Sequence, residues 1–101
     1  MGEETAFSVT DQVEINPLYM FRWEEAQDAY VLLYPEGIVE LNETAGEILH
    51  HCSQSSSVGD LIKKMKTHYA ASDPATAEKV EDGVYKFLEV SHAKGWIRRK
   101  T

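Results

Sequence analysis

The chain has 101 residues, 43% of them hydrophobic, and a net charge of −7 from 17 acidic and 10 basic side chains. That length fits one domain with a modest core, and that apolar content excludes disorder throughout. The acidic balance disfavours nucleic acid as a partner, because phosphate binding needs a positive footprint.

One cysteine, Cys52, allows no internal disulfide and fits a reducing, cytoplasmic setting. Met1 to Ser8 carries Glu3 and Glu4 and no apolar stretch, so no signal peptide is read there. No apolar run approaches the roughly 20 residues that span a bilayer, which predicts no membrane partner.

Residues 1–16 are polar and acidic and are expected to form a flexible N-terminal segment, with Val13 and Ile15 available to lie on the body. Pro17 opens a domain expected over 17–97, and residues 98–101 read as a solvated basic tail. Leu18 to Trp23 reads as a first strand, and Tyr30 to Tyr34, aromatic and β-branched, as a second. Pro35 and Gly37 mark a turn, with Gly37 expected at positive φ. Ile38 to Leu41 returns as a third strand. The first two strands are apolar on both faces, with Tyr19, Phe21 and Trp23 opposed to Leu18 and Met20. One face must meet the rest of the fold, and the other is either sealed by the N-terminal segment or left for contact.

Asn42 is a good N-cap, with Glu43 in the favoured first turn. The helix it starts runs to His51 and buries Ala45, Ile48, Leu49 and Cys52. Ser57 and Asp60 form a capping pair for a second helix, whose stripe is Val58, Leu61, Ile62, Met65 and Tyr69. Asp73-Pro74 starts a third, with Pro at N1 and Gly95 as its C′ glycine. Its stripe is Ala77, Val80, Val84, Phe87, Leu88 and Ser91, after which Trp96 and Ile97 fold back on the core. The predicted fold is α+β, an N-terminal three-stranded antiparallel sheet followed by three helices, winged-helix-like.

The residues for catalysis or metal binding do not assemble. His50, His51 and Cys52 are adjacent in a helix, so they diverge by about 100° each and cannot share one metal. Cys52 falls at a helix C-terminus, where the dipole opposes a thiolate. His68 and His92 have no evident partner, and no carboxylate pair is set in a desolvated pocket. No enzyme, cofactor or metal is read.

The positive reading is recognition. The third strand of a meander has a free edge, to which an extended peptide can add by main-chain hydrogen bonds. Val39 and Leu41 share one face of that strand, and Ile38 and Glu40 the other. The expected groove has Val39, Leu41, Val84 and Leu88 as its floor and Tyr85 and Glu81 as its rim. Val84, Phe87 and Leu88 equally fit plain core.

The run YVLLYPEGIVELNETA, with GEIL after it and FLEVSHAKGWI near the end, resembles the PqqD family, small peptide chaperones of pyrroloquinoline quinone biosynthesis. The resemblance covers about Pro17 to Ile97, with Gly83 standing where the family often has Asp. It implies that the leader segment of the precursor peptide PqqA lies as an added strand between Ile38–Leu41 and the helix Val80 to Leu88. It further implies presentation of that peptide to the radical-SAM enzyme PqqE, which performs the chemistry. The other sheet face, with Tyr19, Phe21 and Trp23, is then the expected seat for PqqE or for a homodimer contact. Two alternatives compete: a DNA-binding winged helix, opposed by Glu78, Glu81, Asp82 and Glu89 on the third helix, and a binder of the quinone product.

Overall fold

The computed structural model describes residues 7–69 and 73–100. In chain order the elements are β1 (Val13–Ile15), β2 (Met20–Glu24), β3 (Ala29–Tyr34), β4 (Gly37–Glu40), α1 (Glu43–Cys52), α2 (Val58–Tyr69), α3 (Pro74–Lys94) and β5 (Ile97–Arg99). The predicted meander is present in the order β2-β3-β4, antiparallel throughout, with Phe21 opposite Leu32 and Leu32 opposite Val39. Its tight reversal closes with Tyr34 opposite Gly37. Gly37 does not have the expected positive φ. Glycine is also favoured at the last position of a type I turn, where no left-handed backbone is needed. The left-handed residue of the hairpins is instead Asp28, at φ 54° in the β2–β3 loop.

The helices start and stop where local chemistry dictates. Asn42 Oδ1 accepts from the Ala45 N–H at 2.8 Å, satisfying one of the orphan donors of α1. The Ser57 hydroxyl accepts from the Asp60 N–H, while the Asp60 carboxylate accepts from the Ser56 N–H, both at 3.2 Å. Asp73 caps α3 ahead of Pro74, and Gly95 ends it at φ 82°. The α1 stripe is buried as expected, and Val58, Leu61, Ile62 and Met65 of α2 are buried against it. Tyr69, at the end of that stripe, is exposed. In α3 Val84, Leu88 and Ser91 of the stripe are buried, while Ala77, Val80 and Phe87 stay half-buried.

Two boundaries need correction. Residues 1–6 lie outside the described residues, but 7–16 is not a flexible segment. Phe7 is buried, the carbonyls of Val9 and Asp11 accept from the Gly59 and Val58 N–H groups at the start of α2, and β1 pairs antiparallel with β5. Asn16 fastens the join: its N–H donates to the Trp96 carbonyl at 2.8 Å and its amide to the Gly95 carbonyl at 2.9 Å. Nor are Arg98 and Arg99 a solvated tail. They belong to β5, where Arg98 pairs with Glu14 at 2.6 Å and Arg99 lies 4.3 Å from the Phe7 ring centre.

Candidate functional site

Backbone parity fixes what β4 offers. The Leu41 N–H donates to the Tyr30 carbonyl at 3.0 Å, so Tyr30 and Leu41 form a hydrogen-bonded pair. Pairs alternate along an antiparallel ladder, which makes Leu32–Val39 and Tyr34–Gly37 hydrogen-bonded too. The N–H and C=O groups of Ile38 and Glu40 therefore point away from β3, toward an edge that no described strand covers. Their side chains leave by the face opposite Val39 and Leu41.

Beyond the end of β4, α1 starts a cleft. Its volume is about 350 Å³, and Thr44 is among the residues that line it. Ile48 of α1, Met65 of α2, and Val80 and Val84 of α3 supply apolar walls, with Gly83 among them. This is where the α3 stripe is only half covered. Gly83 is out of place by helix propensity, since glycine in a helix interior destabilises by about 0.5–1 kcal/mol relative to alanine.

The predicted groove residues divide. Val84 lines the cleft although almost wholly buried; Leu88 is fully buried and is core. Leu41 is buried and Val39 half-buried against the core, so neither is an open floor. Ile38 is exposed, and Glu40 with it. The expected rim is on the other flank of α3. Glu81 binds Lys66 of α2 at 2.9 Å, and Tyr85, one turn on, has its phenol pKa raised by burial and then by Glu81. Positions 81 and 85 each sit about 200° around the helix from Gly83.

Val39 and Leu41 face the core side as expected, but the aromatic face of β2 is reversed from expectation. Phe21 and Tyr19 pack against the core, with Phe21 stacked on Tyr30 at 4.9 Å and Tyr30 stacked on His50 of α1 at 5.5 Å. Trp23 meets Tyr30 edge-on and remains 43% exposed. The outward row is Met20, Leu33 and Ile38, paired across three strands, with Met20 59% and Ile38 52% exposed. The aromatic face covers the helices because flat rings stack closely over α1.

The titratable groups show one cluster that spacing did not reveal. Glu47 Oε1 lies 3.6 Å from His51 Nε2 and 3.9 Å from His68 Nε2, so His68 has an acidic partner after all. Among the described residues, no three His, Cys, Asp or Glu side chains are arranged to hold a metal ion. Cys52 is buried, and burial pushes its thiol up to about 11, which leaves it protonated and inert at neutral pH. Among the described residues no helix is long and apolar enough to cross a membrane.

Fold and site together place the chain among small α+β domains with a meander edge beside a helical layer. The same fold is seen in the solution NMR structure of the PqqD truncation of Methylobacterium extorquens PqqCD, described as a functional and stand-alone recognition element for ribosomally synthesized and post-translationally modified peptides. The two superpose with a TM-score of 0.72 at 24% identity, over 96% of this chain and 99% of that one. The family described as "Coenzyme PQQ synthesis protein D (PqqD)" matches residues 29–97. Similar proteins include the PqqA binding protein of Methylococcus capsulatus, 42% identical over 85% of this chain and 86% of that one. The PqqA binding protein of Azotobacter vinelandii is 34% identical over 96% and 97%. The chain belongs to the PqqD family.

Proposed function

We propose that this chain is a peptide chaperone that binds the leader of the precursor peptide PqqA by strand addition to β4 and presents it to the radical-SAM enzyme PqqE. The observation that carries this reading is the outward main chain of Ile38 and Glu40 beside an apolar cleft, in a chain whose relatives are PqqA binding proteins. An added strand gains main-chain hydrogen bonds at two positions and gains register from every second side chain. The protein's part is then positioning: tethering the leader raises the local concentration of the reactive segment at the enzyme. The outward row Met20, Leu33 and Ile38 suits an apolar partner surface better than Tyr19 and Phe21, which the core already uses.

The test is an NMR titration of labelled protein with PqqA peptide. Shifts are expected at 38–41 and at the cleft residues of α1 and α3. A spectrum unchanged at high peptide excess removes the reading.

A further inference from the structure

The glycines inside the helices have different reasons to be there, and one has no internal reason. A Cβ on Gly46 would sit 2.7 Å from the Tyr30 ring, and a Cβ on Gly59 would sit 3.2 Å from the Val9 carbonyl. Both positions are closed by the protein's own packing. A Cβ on Gly83 would meet nothing within 4 Å, and Gly83 has no positive φ. Alanine there would fit and would favour the helix. Yet Gly83 lines the cleft between α1, α2 and α3, in the segment where the α3 stripe is left half covered.

We propose that Gly83 is a specificity-determining position: the missing side chain keeps the cleft deep enough to seat one bulky apolar side chain of the peptide that pairs with β4. This rests on the reading of β4 as the docking edge. A strand added there points alternate side chains to the helix side of the sheet. Thr44, which lines the cleft, follows Glu40, the last residue of β4, by four residues, so the chain leads from the edge directly to the cleft wall. The walls choose the chemistry. Ile48, Met65, Val80 and Val84 form an apolar wall, with Thr44, Tyr69, Thr76 and Lys79 as the polar-bearing members of the lining, so a polar peptide residue seated against that wall would lose hydrogen bonds to water. At about 350 Å³ the cleft is at the small end of ligand sites, which run to roughly 1,000 Å³, and has room for a bulky side chain.

The experiment compares wild-type protein, Gly83→Ala and Gly83→Leu for melting temperature and for calorimetric affinity toward PqqA peptide. Gly83→Ala is expected to melt higher and to bind about threefold to tenfold more weakly, a pairing that a purely structural role does not produce. Gly83→Leu, on an open helix surface, should fold and lose more than about thirtyfold. An alanine scan of the peptide's large apolar residues should find one whose truncation weakens wild-type binding but changes binding to Gly83→Leu little. Unchanged affinity in both variants, with wild-type binding intact, would overturn the role of Gly83 and leave strand addition standing. Absence of binding to wild-type protein would remove the strand-addition reading, and this proposal with it.

Discussion

Tyr30 lies against Gly46 so closely that a Cβ at position 46 would fall 2.7 Å from its Cδ2 and 3.0 Å from its Cβ. This contact sets how near α1, which carries Thr44 and Ile48 of the cleft, can approach the sheet. Tyr30 is held on its other sides by the Phe21, Trp23 and His50 rings, so it cannot simply swing away. Gly46→Ala is therefore expected to destabilise by about 1–3 kcal/mol, as overpacking does, despite alanine's better helix propensity. Denaturant unfolding measures it. A neutral or stabilised variant would show that α1 is not seated tightly on Tyr30.

Main-chain parity at β4 makes a sharper prediction about binding. The Glu40 N–H points away from β3, so Glu40→Pro removes an outward donor without breaking the β3–β4 ladder. Val39 before it is already extended, as the residue preceding proline must be. The variant should keep its fold and bind PqqA peptide roughly twofold to tenfold more weakly, the worth of one net hydrogen bond at about 0.5–1.5 kcal/mol. Glu40→Ala keeps the N–H and should bind within about twofold of wild type. If the proline variant binds as well as the alanine variant, the peptide does not add to this edge.

The N-terminal segment is part of the fold, and Phe7 is its anchor. Phe7 is buried, edge-on to His92 at 5.5 Å and under the Arg99 guanidinium. Phe7→Ala should cost about 3–5 kcal/mol, which for a domain of this size lowers the melting temperature by more than about 10 °C. A shift of a degree or two would mean that the segment lies on the body without supporting it.

What was legible in the sequence was local. Asn42, the Ser57–Asp60 pair, Asp73-Pro74 and Gly95 each act within a few residues, and the helix stripes repeat within one element. The β1–β5 pairing joins residues 84 apart through strands of three residues, too short for periodicity to register. The alternation Val13-Glu14-Ile15, and the opposite charges of Glu14 and Arg98, were the available signals. The face of β2 was misjudged because both its faces are apolar, so a period of two says that faces exist without saying which is covered. Glu81 and Tyr85 fall outside the cleft lining for a related reason. A stripe identifies the buried line of α3, but which flank stays open depends on α1 and α2.

The histidines give the last prediction. His51 lies between the rings of His50 and His68, at 5.3 and 5.5 Å, with Glu47 as its carboxylate and Lys64 also acting on it. Its pKa is lowered from the ordinary 6.5, first by burial and then by His50, with Glu47 opposing. Between the folded and unfolded values the unfolded chain binds more protons, so stability rises with pH there. The contribution is complete above pH 6.5 and is lost as pH falls through the lower folded value. Denaturation midpoints should therefore be flat above about pH 7 and decline below about 6.5, with His51→Gln flattening the decline. Asp60 and Asp73, both held below the ordinary 3.8 by hydrogen bonds, act in a separate and more acidic window. An unaltered slope below about pH 6.5 in His51→Gln would assign the loss to other groups.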